Sequence, residues 1–232
     1  MKPITKPGTA LGRRHLLLAA SALSGAALGG CMSLGGSDPV PTLHHRLRDP
    51  GLAATPALTT PLRDALLVQA LPGGTLVDTQ AMAYARQPHV YAYYQHAFWT
   101  DRPLRQVPRL LQQRLQARGV ATAVGLMGEP LRADWLLTVA VDSLHHDASS
   151  EPGVGRVGLT LELVDRRSRQ RAARRSFTTD APLPSADATG AAAALSQALA
   201  RAFDEAVPWL EDTLTRLPAT GTPRPPGSGA PG

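Results

Sequence analysis

Two stretches, WLLTVAV at residues 135–141 and VGLTLEL at residues 157–163, decide the fold of this chain. In each stretch the large apolar residues occupy every second position, so in an extended strand they all lie on one face. The residues between them, 145–155, are polar and include glycine, which predicts a loop. The pattern therefore predicts two antiparallel strands joined as a long-looped hairpin.

The sequence after this hairpin predicts one more strand and a long helix. Residues 169–179 are rich in arginine, and charge favours an edge strand because it discourages pairing with another sheet. Residues 188–217 are rich in alanine and carry apolar residues at helical spacing, which predicts an amphipathic helix. Pro208 is predicted to kink or divide this helix, because proline lacks the N–H group that a helix interior uses.

The sequence before the hairpin predicts four short strands. Residues 65–71 form an apolar run that is typical of a buried strand. Residues 81–86 and 90–99 are extended segments on either side of Gln-Pro-His, which predicts a second hairpin. A further short strand is predicted over residues 120–124.

A second amphipathic helix is predicted over residues 102–118, where apolar side chains recur at helical spacing. Pro103 is compatible with the first turn of a helix, and Gly119 is a typical stop. Strands combined with two such helices predict an α+β fold of two layers. We expect a mainly antiparallel sheet with both amphipathic helices packed on one face.

The N-terminus has the three zones of a secretory signal. A basic stretch is followed by an apolar run over residues 16–28 and then by Gly29-Gly30-Cys31. A membrane-spanning helix needs roughly 20 apolar residues, so this run fits the shorter core of a signal peptide. We therefore predict that residues 1–30 are a lipoprotein signal peptide that is absent from the mature protein.

Cys31 is the single cysteine of the chain, and the sequence Leu-Gly-Gly-Cys at 28–31 resembles the lipobox of bacterial lipoproteins. Its thiol is the predicted lipidation site, because it supplies the nucleophile that takes a diacylglycerol. Two acyl chains already give stable membrane attachment, and a processed Cys31 would carry three. Met32 follows it instead of the aspartate that resembles an inner-membrane retention signal, which favours the outer membrane, facing the periplasm.

Composition divides the rest of the chain into three parts. Residues 31–60 are rich in Gly, Pro, Thr and Ser without an apolar period, which predicts a lipidated flexible tether. Residues 61–217 are long enough for one folded domain with one core. Residues 218–232 are dominated by proline and glycine, which predicts a disordered tail.

The formal charge of +6 gives little support for nucleic-acid binding. Four of the 24 basic residues lie in the predicted signal peptide, which leaves 20 basic against 18 acidic residues. Nucleic-acid-binding domains usually show a concentrated basic surface. We therefore predict no nucleic-acid partner.

The sequence contains no recognisable catalytic motif, neither a Gly-x-Ser-x-Gly elbow nor a Ser-x-x-Lys pattern. Two adjacent histidine pairs, His44-His45 and His145-His146, invite a metal-site interpretation. Neighbours on a strand point to opposite faces, and the first pair falls in the predicted tether and the second in the predicted loop. We therefore predict no metal site, no cofactor and no enzymatic activity.

The aromatic residues are concentrated in one short segment. Five of the ten lie between residues 91 and 99, and they are Tyr91, Tyr93, Tyr94, Phe98 and Trp99. Such a cluster forms either a recognition surface or a core where the strand meets the helix. We favour the core, because Phe98 and Trp99 precede the helix and can close its end against the sheet.

Four motifs follow one another between residues 83 and 119. They are AYAR at 83–86, VYAYY at 90–94, FWTDRP at 98–103 and Leu110-Leu111-x-x-x-Leu115. This passage resembles the ABC-type transport auxiliary lipoproteins, a family that includes the paraquat-inducible C lipoproteins. In that family a tyrosine-containing strand and a Tyr-Tyr-x-x-x-x-Trp-x-x-x-Pro passage lead into an amphipathic helix. The resemblance spans roughly residues 62–215.

This resemblance implies a non-catalytic partner of a lipid-handling system. The implied partners are a periplasmic protein with an MCE domain, an inner-membrane permease and a cytosolic ATPase, with this chain at the outer-membrane end. The sequence contains no Walker motif, so the resemblance implies that another chain hydrolyses ATP. Self-association into a homo-oligomer stays open.

A stand-alone envelope lipoprotein is the alternative hypothesis. In that case a face of the sheet would bind a small amphiphile or an envelope polymer independently of any transporter. Mass spectrometry of ligands retained by the protein, together with capture of an MCE-domain partner, distinguishes the two hypotheses.

Overall fold

The computed structural model describes residues 40–218, and the strands within them form one eight-stranded sheet. The strands are Leu43–His45 (β1), Arg63–Ala70 (β2), Ala81–Gln87 (β3), Val90–Trp99 (β4), Ala121–Leu126 (β5), Trp135–Asp147 (β6), Val154–Asp165 (β7) and Gln170–Pro182 (β8). The helices are Pro103–Arg118 (α1) and Ala188–Arg216 (α2), and a short 3-10 turn lies at Leu52–Ala54.

Strand β6 organises the sheet. Its whole length pairs antiparallel with β7, and β8 pairs antiparallel with the outer side of β7. The other side of β6 is divided, because β2 pairs with residues 135–139 and β3 with residues 146–147, both in parallel. Strand β5 lies outside β2, and β4 lies outside β3. The sheet is therefore mixed, and its two longest pairings are antiparallel.

Both helices bury their apolar side chains in one hydrophobic cluster with the sheet. The alternating apolar residues of β6 and β7 all belong to this cluster, which confirms that each stretch presents one apolar face. Gly155 of β7 allows α2 to approach, because a Cβ there would lie 2.6 Å from the backbone nitrogen of Leu195. An ion pair of 2.5 Å between Arg118 Nε and Glu211 Oε1 joins the two helices. The predicted α+β class is confirmed.

Most predicted elements agree with the structure to within a few residues. The hairpin of β3 and β4 and the meander of β6, β7 and β8 are both present. Helix α1 begins one residue after its predicted start, and Gly119 ends it with a left-handed φ of 72°. Strand β8 pairs only with β7 among the described residues, so the arginine-rich segment is an edge strand as predicted.

The predicted division of the C-terminal helix at Pro208 is wrong, because α2 continues through this residue. A kink at Pro208 stays a prediction. Pro208 lies on the exposed side of the helix, as does Asp204, whose carbonyl loses its helical partner. Water can therefore solvate that carbonyl. Val207 and Leu210, on either side of the proline, are buried in the core and hold the two halves together.

The predicted tether over residues 31–60 is wrong in its second half. Strand β1 pairs in parallel with residues 97–99 of β4, and the Leu47 side chain is 1% exposed. The guanidinium of Arg114 on α1 binds the buried carboxylate of Asp49. Residues 1–39 and 219–232 lie outside the described part of the chain, and with them lie the predicted signal peptide, Cys31 and nearly all of the predicted tail.

The predicted loop over residues 145–155 is also too long. Strand β6 continues to Asp147 and β7 begins at Val154, so the connection is much shorter than predicted. His145 and His146 are buried on β6, not solvated in a loop. Their polarity concealed the strand. His146 has its partners in the Tyr94 hydroxyl and the Pro152 carbonyl oxygen, and the His145 ring packs against the edge of the Tyr91 ring.

Candidate functional site

A cleft of about 660 Å³ lies where the end of β6 meets the β3–β4 hairpin. The loop that follows β6 forms one wall, and Ala186, just before α2, contributes to another. Aromatic and polar side chains dominate the lining. The side chains of the sheet that line it are Tyr84, Arg86, Tyr93, Tyr94, Gln95 and His146.

A hydrogen-bonded chain fixes the floor of this cleft. The Tyr94 hydroxyl lies 2.7 Å from His146 Nδ1, and His146 Nε2 lies 3.1 Å from the carbonyl oxygen of Pro152. A carbonyl only accepts, so Nε2 carries the proton and donates to it. In the neutral imidazole Nδ1 then accepts from the Tyr94 hydroxyl, a group that can both donate and accept.

Burial strengthens this protonation pattern. It lowers the pKa of His146 below its ordinary value, although the hydrogen bond to Pro152 acts in the opposite direction. Burial also raises the pKa of Tyr94 to about 12, and the charge of Asp187 adds to this effect. Tyr94 therefore stays a hydroxyl donor and His146 an acceptor at neutral pH.

We expect the free energy of unfolding to decrease as the pH falls from 7 towards 5. The folded chain holds His146 neutral, whereas the unfolded chain takes up a proton once the pH falls below the ordinary pKa of 6.5. Stability present above that value is then lost progressively until the pKa in the folded chain is reached. Burial lowers the pKa of His145 as well, so both histidines contribute.

Urea denaturation at several pH values measures this effect. The variant His146→Gln is expected to have a shallower dependence of stability on pH than the wild type. The control is His96→Gln, which removes an exposed histidine from strand β4. An unchanged slope in His146→Gln would contradict a neutral His146 in the folded chain.

One wall of the cleft combines a cation with aromatic rings. The Arg86 guanidinium carbon lies 5.4 Å from the centre of the Tyr84 ring, and the rings of Tyr84 and Tyr94 are 5.2 Å apart. The two tyrosine rings are tilted by 57° to each other. Aromatic rings beside a cation offer contact area to a ligand and a few polar atoms that orient it.

The strand edge beside the cleft is open. Strand β1 covers only residues 97–99 of β4, and among the described residues no strand pairs with the outer edge of residues 90–96. Large apolar side chains are exposed here, with Val90 at 60% and Tyr93 at 44%. An unpaired edge that carries apolar side chains is a ready template for an added strand.

The aromatic cluster of the sequence is divided between core and surface. Trp99 is 1% exposed and Phe98 is partly buried, so the predicted core interpretation holds for Trp99. It is wrong for Tyr91 and Tyr93, which are exposed on β4. Sequence reasoning did not connect Tyr94 with His146, because 52 positions separate them. The parallel pairing of β3 with the end of β6, which brings them together, leaves no local pattern.

Two further findings concern metals and membranes. Within residues 40–218, no group of three or more histidine, cysteine or acidic side chains is arranged to hold a metal ion. In the same residues, neither helix combines the length and apolar character that crossing a membrane requires. The predicted lipidation site, Cys31, lies outside the described residues.

Comparison with known proteins gives one family match and several similar folds. The model of the family described as ABC-type transport auxiliary lipoprotein component matches residues 45–207. No curated protein matches the chain.

Two solved structures show the same fold. A Xanthomonas campestris protein of the family DUF330 is 22% identical, with a TM-score of 0.60 over 76% of this chain and 95% of that one. An uncharacterised protein is 14% identical, with a TM-score of 0.58 over 74% of this chain and 99% of that one. At these identities the likeness concerns the fold alone.

Proposed function

Because this chain belongs to the ABC-type transport auxiliary lipoprotein component family, we propose that it is a non-catalytic, periplasm-facing subunit of an MCE-type lipid transport system. It docks that system at the outer membrane and supports the lipid homeostasis of the envelope. Its partners are an MCE-domain periplasmic protein and, in the same system, an inner-membrane permease and an ATPase. Lipid on Cys31 holds the chain to the membrane.

The observation that carries the docking proposal is the open edge of β4 beside the aromatic cleft. An extended peptide that adds a strand to this edge forms main-chain hydrogen bonds along residues 90–96, and its alternate side chains reach the neighbouring surface. Val90 and Tyr93 supply apolar contacts, and the cleft next to them accommodates a larger side chain. We propose that an extended segment of the MCE-domain protein occupies this edge.

The double variant Val90→Ser/Tyr93→Ser tests this surface. Both side chains are exposed, so their removal is expected to leave the fold intact and to weaken binding of the purified MCE-domain protein by about tenfold or more. Isothermal titration calorimetry with the full chain measures the effect.

Met127→Ser is the matched control, because Met127 is 40% exposed but follows β5, away from the β4 edge. Its affinity for the MCE-domain protein is expected to equal that of the wild type. Equal affinities for all three proteins would refute the proposed docking edge. Self-association lost only in the double variant would instead assign the edge to a second copy of this chain.

The cleft also favours one alternative function. Its volume of about 660 Å³ falls in the range of sites for small molecules, and tyrosine rings with one guanidinium suit an amphiphile that has an anionic end. In this alternative the chain is a stand-alone envelope lipoprotein that binds such a ligand or an envelope polymer. A ligand retained by the purified chain and lost in Tyr84→Ala, without any MCE-domain partner, would favour it.

A further inference from the structure

A groove of about 500 Å³ lies between the segment that contains β1 and the beginning of α2, and we call it the β1–α2 groove. Its helix wall consists of uncharged side chains between residues 189 and 197. The basic residues of the opposite wall are His44, His45, Arg46 and Arg48. No acidic side chain from the described part of the chain lines the groove. The groove is therefore a cationic surface.

The two arginines of this wall are fixed in position, but their charges are free. Leu47 and Asp49 alternate with them and are buried, which leaves Arg46 and Arg48 exposed. The backbone N–H of Arg48 also donates to Ser196 Oγ of α2 at 3.2 Å. Within residues 40–218, neither guanidinium takes part in an ion pair or a hydrogen bond. Both cations are thus available to an external anion.

Neither of the nearest acidic residues in the chain cancels this charge. The carboxylate of Asp49 is buried in its pair with Arg114. Asp187 is exposed and caps α2, where it accepts a backbone N–H at 2.7 Å. Two arginines against one exposed aspartate leave an excess of one positive charge on this surface. The histidines add to the excess when they are protonated.

The proposed lipid anchor lies close to this surface along the chain. Val40, the first described residue, comes nine positions after Cys31. An extended chain spans at most about 3.5 Å per residue, so residue 40 lies within about 30 Å of the anchor. A folded domain of this length has a diameter of about 40 Å. The domain therefore cannot turn its N-terminal side fully away from the membrane.

We propose that the β1–α2 groove faces the membrane and binds the headgroups of anionic phospholipids through Arg46 and Arg48. Each arginine near an anionic surface shifts the equilibrium towards contact by about fivefold. Such a contact is weak for a free protein, but the anchor already holds the domain at a high effective concentration beside the membrane. The proposal rests on the lipid anchor of the proposed function and adds the orientation of the folded domain.

The test measures how close the groove lies to lipid headgroups in the mature, lipidated chain. The chain is reconstituted in phosphatidylcholine vesicles with or without phosphatidylglycerol, and a nitroxide on the headgroups quenches a fluorescent label at short range. Ala193→Cys places the label at an exposed position of the groove, because the lipid occupies the single natural thiol, Cys31. Quenching is expected to be about twofold or more stronger with phosphatidylglycerol and to weaken at high salt.

Ala172→Cys provides the matched label position, because it is exposed near the beginning of β8. The other end of β8 lies next to α2, since Ala181 pairs with Gly155 and Gly155 meets Leu195. Nine positions along a strand separate Ala172 from Ala181, which corresponds to about 30 Å. Quenching of this label is expected not to respond to phosphatidylglycerol.

The double variant Arg46→Gln/Arg48→Gln is expected to lower the ratio of membrane-contacting to free orientations about tenfold or more. Arg105→Gln/Arg109→Gln changes the net charge equally, but these exposed arginines of α1 line a different groove. This control is expected to behave like the wild type. Quenching at residue 193 that ignores phosphatidylglycerol, or that falls equally in both double variants, would overturn the proposal.

Flotation of the vesicles separates this result from a failure of the anchor. A wild-type chain that floats with both kinds of vesicle, without a response of its label to phosphatidylglycerol, refutes the membrane-facing groove and leaves the anchor intact. A chain that does not float at all refutes the anchor and the orientation together. Neither readout needs the MCE-domain protein, so both are distinct from a failure of docking.

Discussion

Replacing Arg114 with methionine is expected to destabilise the fold by about 3–5 kcal/mol, because it leaves a buried carboxylate without its counter-charge. The Asp49 side chain is 0% exposed. Arg114 Nε donates to Asp49 Oδ2 at 2.7 Å, and Arg114 Nη1 donates to Asp204 Oδ1 at 2.6 Å. One side chain thus fastens the N-terminal segment to both helices.

Urea denaturation of Arg114→Met measures this loss against a control at an exposed ion pair. Arg102→Met breaks the pair with Asp78, whose side chains are 47% and 41% exposed. The control is expected to cost no more than about 1 kcal/mol. The double variant Asp49→Leu/Arg114→Met removes the buried charge together with its partner, so it is expected to be more stable than Arg114→Met alone. Equal losses in Arg114→Met and Arg102→Met would contradict the buried network.

Replacing Cys31 with serine is expected to release nearly all of the protein from the membrane fraction. Each buried CH₂ group of an acyl chain contributes about 0.8 kcal/mol to membrane attachment, and serine cannot form the thioether that carries the lipid. An uncleaved signal segment would itself retain the chain in a membrane. The variant is therefore expressed behind a cleavable secretory signal that lacks a lipobox.

Membrane fractionation with mass spectrometry of the N-terminus provides the measurement. The wild type is expected in the outer-membrane fraction with acyl chains on Cys31, and the variant in the soluble periplasmic fraction. The control, Ser33→Ala, leaves Cys31 in place and is expected to fractionate like the wild type. A processed Cys31→Ser protein that remains in the membrane fraction would contradict anchoring through lipid.

The fold was predictable where burial follows a local period. Leu137 and Val139 on β6 and Leu161 on β7 enter the core from alternate positions, so the sequence carries the strand signal within a few residues. The same holds for α1, whose apolar stripe and flanking residues Pro103 and Gly119 mark both its face and its ends.

The N-terminal packing and the candidate site were not predictable, because their contacts join distant parts of the chain. Arg114 and Asp49 are 65 positions apart, and no period connects them. His146 looked like a loop residue because its polarity indicates solvent, yet Tyr94 and Pro152 satisfy both of its ring nitrogens. These polar residues have hydrogen-bond partners within the protein, so their polarity wrongly indicated solvent. The start of the domain and the floor of the cleft could therefore not be predicted from the sequence.

Affinity capture of the full chain from solubilised cells, with the wild type and the Cys31→Ser variant compared, tests the central proposal most directly. With the wild type, an MCE-domain protein, a permease and an ATPase should be enriched together, and the MCE-domain protein should appear in the outer-membrane fraction. With Cys31→Ser behind the cleavable signal, the MCE-domain protein should still bind but should leave that fraction. Capture of the wild type without any of these three proteins would contradict the account.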